Sequence, residues 1–179
     1  MRRSLLPVLL VCAVGASAAA VALVGTARAG KSAAAERAAP TARRAPDPAC
    51  PLPHAYRASF EAAARATGLP LPLLVAVGTV ESHLRSSARS PAGAEGLLQV
   101  LPSTAAELGL EASRARTNVL AGARYLRRML DRFQAPDLAL AAYNAGPAAV
   151  ERAGGAPSGE TLTYVANVTA LWRSLVRCG

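Results

Sequence analysis

The chain has 179 residues, which is enough for one domain with a hydrophobic core but hardly for two. Hydrophobic residues make up 52% of it and aromatic residues only 4%, which favours helices over sheets because alanine and leucine are strong helix formers. The net charge of +9 would attract polyanions. The basic residues are scattered or lie in the segment before residue 50, however, and no nucleic-acid motif is present, so we expect no nucleic-acid partner.

Residues 1–29 have the pattern of an export signal. Arg2 and Arg3 give a positive start, residues 5–24 are uncharged and apolar, and Ala-Arg-Ala at 27–29 is a small-residue cleavage site. We expect cleavage after this segment. Since about 20 apolar residues can cross a bilayer, an uncleaved anchor in the inner membrane through residues 5–24 is the alternative. Either form would place the domain outside the cytoplasm, in the periplasm or cell envelope.

Residues 30–49 are rich in alanine, arginine and proline and have almost no large apolar side chains. Such a segment cannot bury a core, so we expect a disordered basic linker followed by a folded domain over residues 50–179. Cys50 and Cys178 stand at the two ends of that domain. An even pair in an oxidising compartment predicts a disulfide, and the alternative is two unpaired thiols near frayed ends.

Within the domain the apolar residues recur with helical spacing, which predicts an all-α fold. A first helix is expected over residues 54–67, and a second runs from Leu73 to about residue 83 and is apolar nearly all round. Residues 84–95 are small and turn-forming, which predicts a loop. A short helix follows over residues 102–109.

The second half of the domain continues the helical pattern. Asn118 can cap a long helix whose apolar face carries Val119, Ala123, Leu126, Leu130 and Phe133. Asp137 can cap a helix over residues 138–144, and a short helix begins at Gly146-Pro147 and stops at Gly154. The last helix begins near Glu160, with an inward face predicted to carry Leu162, Val165, Val168, Trp172 and Leu175.

Glu81 is the leading candidate for chemistry. It ends an apolar helical run, and both burial and the negative end of the helix dipole would raise its pKa, because each disfavours the carboxylate. An acid that stays protonated near neutral pH can donate a proton to a leaving sugar oxygen. The alternative is a surface glutamate just past the buried part of its helix.

Other polar residues allow two interpretations each. Glu95 and Glu160 could supply the second carboxylate of a two-acid glycosidase, although a loop position and a helix start explain them without catalysis. Tyr143 and Asn144 could contact a sugar or simply end a helix. Gln99 could be a sugar ligand or a loop-end amide.

Nucleophile and metal chemistry are disfavoured. Ser82 and His83 are neighbours on a helix and point about 100° apart, so they are unsuited to a catalytic dyad. Two histidines without clustered acids fall short of the usual metal ligand sets, and no glycine-rich phosphate loop is present. We therefore expect no metal and no cofactor.

Six segments in order resemble the catalytic domain of the soluble lytic transglycosylases, a lysozyme-like helical family with an active-site cleft that acts on peptidoglycan. They lie at residues 80–82, 88–94, 96–99, 118–126, 142–146 and 160–165. Two positions depart from the family, which often has methionine where Leu98 stands and an aromatic residue where Leu84 stands.

The resemblance implies a role for each matching residue. Glu81 would be the single catalytic acid and base. The implied substrate contacts are Ser90, Gln99, Tyr143 and Asn144, and the implied supporting residues are Ser82, Glu160 and Tyr164.

The resemblance implies that the chain acts on peptidoglycan glycan strands, and we expect it to be a monomer. It would cleave the β-1,4 bond between N-acetylmuramic acid and N-acetylglucosamine without water and leave a 1,6-anhydro ring. The alternatives are a hydrolysing muramidase on the same fold and a non-catalytic peptidoglycan-binding domain.

Overall fold

A computed structural model describes residues 50–178, and its secondary structure is helical. The helices are α1 (His54–Thr67), α2 (Leu71–Ser82), α3 (Pro102–Glu107), α4 (Ala115–Phe133), α5 (Pro136–Ala145), α6 (Pro147–Ala153) and α7 (Gly159–Leu175). In this part of the chain there is no strand, only two isolated antiparallel bridges in the loop after α2. The predicted all-α class is confirmed. The expected export signal and linker lie outside the described residues.

The interior is built around α2, which packs against α1 and α7. Its residues from Pro72 to Gly78 are all buried, as expected for a helix that is apolar on every side. The helix starts two residues earlier than predicted, because Pro72 fits the second helical position, where no hydrogen-bonded N–H is needed. It ends at Ser82, where His83 and Leu84 both adopt the left-handed backbone conformation.

The predicted cap of α4 is wrong. The helix begins at Ala115, so Asn118 lies inside it and is fully buried. Its side chain contributes to tertiary hydrogen bonds instead of capping. Asp137 is also no cap, because α5 begins at Pro136 and places this acid in the first helical turn, where the dipole favours it. The apolar face predicted for α4 is confirmed.

One of the residues predicted to face inward on α7 does not. Leu162 is 62% exposed, and the buried positions of the helix are Thr161, Tyr164 and Val168. The burial of polar Thr161 is tolerated because its hydroxyl group is hydrogen-bonded to neighbouring side chains. A polar residue therefore occupies the inward position that apolar spacing alone assigned to its neighbour.

A disulfide joins Cys50 to Cys178 and closes the domain at its two ends. Both cysteines are buried, and their Cα atoms are 4.6 Å apart. The bond fastens the segment before α1 to the end of α7. Among residues 50–178 no helix combines the length and apolar character needed to cross a bilayer.

Candidate active site

A cleft of about 560 Å³ lies where the loop after α2 meets α4, α5 and the start of α7. It contains Glu81, all four residues predicted to contact substrate, and Glu160. The complete lining is Glu81, Ser90, Pro91, Ala92, Ala94, Gln99, Val100, Leu101, Thr104, Tyr125, Tyr143, Asn144, Ala145, Gly146 and Glu160. Residues separated by 79 positions in sequence, 81 to 160, thus share one concave surface.

Glu81 occupies the last turn of α2, with its carboxyl group at the cleft. Burial raises its pKa from the ordinary value of 4.5 to about 7, because the charged form loses water that the protein does not replace. A hydrogen-bonding interaction with Tyr164 acts in the opposite direction and lowers the pKa. The carboxyl group is therefore substantially protonated near neutral pH and can still ionise.

Tyr164 reaches Glu81 from α7. Its hydroxyl oxygen is buried and makes no well-formed hydrogen bond, although it lies close enough to the carboxyl group to lower the pKa of Glu81. The pKa of Tyr164 is raised well above its ordinary value, mainly by burial and secondly by the negative charge of Glu81. The hydroxyl thus stays protonated and can act only as a neutral donor towards the carboxylate.

Ser82 fixes the end of α2 to the following loop. Its buried hydroxyl lies 2.8 Å from the carbonyl oxygen of Leu97 and 3.1 Å from that of Gly78, and it accepts a hydrogen bond from the amide of Arg85. Its single proton can serve one carbonyl at a time, and the shorter contact is to Leu97. These contacts hold the residue next to Glu81 against the loop and leave the hydroxyl of Ser82 without a free proton for a ligand.

The loop from Ser90 to Gln99 forms one wall of the cleft. The hydroxyl of Ser90 accepts a hydrogen bond from the amide of Ala94 at 3.0 Å, which closes a tight turn. The side-chain nitrogen of Gln99 donates to the carbonyl oxygens of Ala88 and Gly96, at 3.2 and 2.9 Å. Because both partners are acceptors, the orientation of this amide is fixed, and its oxygen is the atom left to accept a hydrogen bond.

Tyr143 and Asn144 approach the cleft from the last turn of α5. The hydroxyl of Tyr143 donates to the carbonyl oxygen of Leu98 at 2.6 Å, so only the ring lines the cleft. The side-chain oxygen of Asn144 accepts from the hydroxyl of Thr161 at 3.0 Å, which leaves its amide N–H groups for a ligand. The helix ends at Ala145 with Gly146 as its C-cap, so neither Tyr143 nor Asn144 acts as the C-cap that the sequence allowed.

The two possible second carboxylates lie in different environments. Glu160 is exposed in the first turn of α7 and lines the cleft with Glu81. Glu95 does not line the cleft, and one of its oxygens lies 2.6 Å from Arg89 in an ion pair. Its backbone also pairs with Val100, so Glu95 holds the loop together and does not face a ligand.

Sequence reasoning missed part of the lining. Tyr125 on α4 contributes a ring whose centroid is 5.4 Å from that of Tyr143, with 51° between the planes. Leu101 and Thr104 complete that side of the cleft. Tyr125 could have been found from its place beside the buried face of α4, since an aromatic ring there must emerge at the edge of the core. Residues 50–178 contain no cluster of three or more metal-binding side chains.

Comparisons with known proteins give one consistent family. A family model described as Transglycosylase SLT domain matches residues 58–161. The chain is 38% identical over 99 residues to a membrane-bound lytic murein transglycosylase F of Marinobacter nauticus, which covers 51% of this chain and 20% of that protein. A membrane-bound lytic murein transglycosylase F 2 of Alkalilimnicola ehrlichii is 37% identical over 99 residues, covering 51% and 22%. The chain thus spans about a fifth of the length of these relatives.

Two solved structures are similar in fold. One is an inactive glutamate-to-glutamine variant of the lytic transglycosylase Slt from Pseudomonas aeruginosa, with a TM-score of 0.60 and 30% identity over 72% of this chain and 25% of that one. The other is the 70 kDa soluble lytic transglycosylase of Escherichia coli, with a TM-score of 0.58 and 27% identity over 69% and 25%. These matches confirm the resemblance found in the six sequence segments.

Proposed function

The chain belongs to the Transglycosylase SLT domain family, and we propose that it is a peptidoglycan lytic transglycosylase in which Glu81 acts first as acid and then as base. The observation that carries this proposal is the carboxyl group of Glu81, which lies in a glycan-sized cleft with a pKa of about 7. That value suits both steps, because the group must be protonated to donate and ionised to accept.

The reaction begins with protonated Glu81, which donates its proton to the oxygen between N-acetylmuramic acid and N-acetylglucosamine. The bond from the muramic anomeric carbon to that oxygen breaks, and the acetamido group of the same sugar stabilises the positive centre. Glu81, now a carboxylate, takes the proton of the muramic 6-hydroxyl, whose oxygen bonds to the anomeric carbon. A 1,6-anhydro ring forms, and no water is consumed.

The remaining cleft residues fit the binding of a sugar chain. Gln99 offers an acceptor and Asn144 offers donors, each held by protein contacts on its other side. The rings of Tyr125 and Tyr143 supply apolar surface without charge. Ser90 lines the same cleft from the loop wall.

A hydrolysing muramidase is the second candidate, and one observation favours it. Glu160 lines the same cleft as Glu81, and an exposed carboxylate there could activate a water molecule. Hydrolysis would give a muramic product heavier by one water molecule. The two reactions therefore differ in a directly measurable mass.

The decisive experiment is digestion of purified peptidoglycan followed by mass spectrometry of the products. We expect 1,6-anhydromuramoyl products from the native protein and from Glu160→Gln, and none from Glu81→Gln, whose circular dichroism should stay native. Glu111→Gln is the matched control, because Glu111 is an exposed acid paired with Arg114 outside the cleft. Exclusive formation of reducing muramic ends would replace the transglycosylase with the hydrolase.

Export, a possible anchor through residues 5–24 and the monomeric state stay predictions. The two relatives are named as membrane-bound enzymes, which supports a site of action at the cell envelope. Fractionation of cells that express the full chain, with and without residues 1–29, tests the expected location.

A further inference from the structure

Three buried side chains from three helices converge on the backbone of two consecutive leucines. Ser82 of α2 donates to the carbonyl oxygen of Leu97 at 2.8 Å. Asn118 of α4 accepts from the amide of Leu98 at 2.9 Å, and Tyr143 of α5 donates to the carbonyl oxygen of Leu98 at 2.6 Å. We call these three side chains and the backbone they hold the Leu98 network.

The side chain of Asn118 is hydrogen-bonded to the backbone of this loop and of the segment before α4. Its oxygen accepts from the amide of Leu98, and its nitrogen donates to the carbonyl oxygens of Glu95 and Ala112, at 2.7 and 2.9 Å. One side chain thus satisfies backbone groups on both sides of Gly96 and ties them to the segment before α4. No hydrogen bond of this set points at the solvent, since Asn118 is completely buried.

Two glycines make the network possible. A Cβ atom at Gly96, whose φ is +74°, would lie 2.7 Å from the side-chain carbon of Asn118. A Cβ atom at Gly122 would lie 2.6 Å from the Cβ atom of Leu98 and 2.8 Å from the hydroxyl of Tyr143. Both contacts are closer than real Cβ atoms come, so α4 can reach the loop only with glycine at these positions.

The network joins the two sides of the cleft. Ser82 is the next residue after Glu81, and Leu98 is followed by Gln99, whose φ of 44° is unusual for a residue with a side chain. Such a conformation persists only where the surroundings over-determine it. The side-chain hydrogen bonds to the backbone of Leu97 and Leu98 contribute to that constraint, in addition to the bonds of Gln99 itself to Ala88 and Gly96.

We propose that Asn118, together with the hydroxyl of Tyr143, is a positioning residue that holds Gln99 at a fixed place relative to Glu81. Neither the side-chain amide of Asn118 nor the hydroxyl of Tyr143 is available to the substrate, because each is already hydrogen-bonded to protein backbone. This inference rests on the proposed function, in which Gln99 binds the glycan that Glu81 cleaves. The ring of Tyr143 lines the cleft, and the hydroxyl performs the separate task of positioning.

The test is a double-mutant cycle. Tyr143→Phe keeps the ring and removes only the hydroxyl, and Gln99→Ala removes the group that the network is proposed to place. We expect Tyr143→Phe to lower kcat/KM about tenfold in the native background and less than about twofold in the Gln99→Ala background. Equal losses in both backgrounds would overturn the proposal, because the hydroxyl would then act independently of Gln99.

Two further variants separate positioning from general stability. Asn118→Ala should lower kcat/KM in the same coupled way when assayed well below its Tm. Val150→Ala removes volume from a different apolar cluster, formed with Met129 and Ala142, and should lower Tm without lowering kcat/KM. If Val150→Ala lost as much activity as Tyr143→Phe, the effect would be one of stability and the proposal would fail.

Hydrogen exchange gives a readout that does not depend on catalysis. In Tyr143→Phe and Asn118→Ala, the amides of residues 96–99 should exchange at least about tenfold faster, while those of α1 stay unchanged. Unchanged exchange in residues 96–99 would overturn the proposal even if the enzyme were inactive. A native protein that fails to cleave peptidoglycan would contradict the proposed function alone.

Discussion

The hydroxyl group of Tyr164 lies close enough to the carboxyl group of Glu81 to lower its pKa, although 83 positions separate the two residues in the chain. The tyrosine has no well-formed hydrogen bond of its own, and the glutamate is the group whose pKa it lowers. Burial and the tyrosine therefore act in opposite directions on one proton. The balance between them sets the pH range in which the proposed acid is available.

The pH dependence of activity should follow from this balance. We expect kcat/KM of the native protein to fall above about pH 7 as Glu81 ionises in the free enzyme. In Tyr164→Phe the interaction that lowers the pKa is lost, so the pKa of Glu81 rises and the alkaline limb moves to higher pH. A pH–rate profile from pH 5 to 9 measures both curves.

Tyr56→Phe is the matched control for this prediction. The hydroxyl of Tyr56 donates to Ser86 at 2.9 Å and is not one of the groups that shift the pKa of Glu81, so its removal should leave the pH profile unchanged. An alkaline limb that moves to lower pH in Tyr164→Phe would contradict the assigned direction.

Glu81 should also make stability depend on pH. Its pKa of about 7 in the folded state lies above 4.5, so between these values the folded state holds a proton that the unfolded state has lost. The stabilisation that this proton gives the folded state is fully present below about pH 4.5 and is lost as pH rises through about 7. A shift of this size corresponds to at most roughly 3 kcal/mol.

Glu81→Gln should remove this dependence. The variant should be nearly as stable as the native protein at pH 5 and more stable at pH 8, where the native protein buries a charge. Urea unfolding at both pH values measures the difference. A variant that is equally destabilised at the two pH values would show that burial does not disfavour the carboxylate of Glu81.

Gly122 should resist substitution although it lies inside a helix. Alanine normally stabilises a helix interior relative to glycine by up to about 1 kcal/mol. At position 122 the new Cβ atom would overlap Leu98 and the hydroxyl of Tyr143, so we expect a net loss of about 1–3 kcal/mol from overpacking. Thermal and urea unfolding measure the change.

Gly159 provides the comparison. It lies in the first turn of α7, and a Cβ atom there would meet nothing within 4 Å. Gly159→Ala should therefore be neutral or slightly stabilising. If both alanine variants behaved alike, the close approach of α4 to the loop would not be real.

The disulfide should stabilise the domain without being needed for catalysis. It closes a loop with a sequence separation of 128, and in the chain-entropy model a loop near 100 residues gives roughly 4–5 kcal/mol as an upper figure. We expect Cys50→Ala with Cys178→Ala to lower Tm markedly. Activity well below the new Tm should be retained, because α7 also packs against α2 and α5. Loss of activity in a folded variant would contradict this.

Sequence patterns predicted the helices well and the contacts between them poorly. The bounds of α1 agree with the prediction, because apolar spacing and the following Gly68 are both local signals. The raised pKa of Glu81 was also predictable, since the apolar helix that buries it is contiguous in sequence. The approach of Tyr164 to Glu81 has no such local signal, and the family resemblance implies only a supporting role for this tyrosine.

The wrong predictions have physical reasons. Asparagine is favoured as a helix N-cap because its side-chain oxygen accepts a hydrogen bond from a free backbone N–H, and Asn118 uses that oxygen for the amide of Leu98 in a distant loop. Apolar spacing assigns Leu162 to the interior, and the partner that makes the burial of Thr161 tolerable, Asn144, lies on another helix. In both cases the deciding partner is remote in sequence.

The covalent link between Cys50 and Cys178 also determines how the domain bears mechanical load. Their Cα atoms are 4.6 Å apart, so a pull applied through residue 49 and residue 179 would pass from one cysteine to the other through sulfur. The helices between them would feel almost none of that tension. Tension applied at the two ends of the domain would therefore leave its helices folded as long as the disulfide is intact.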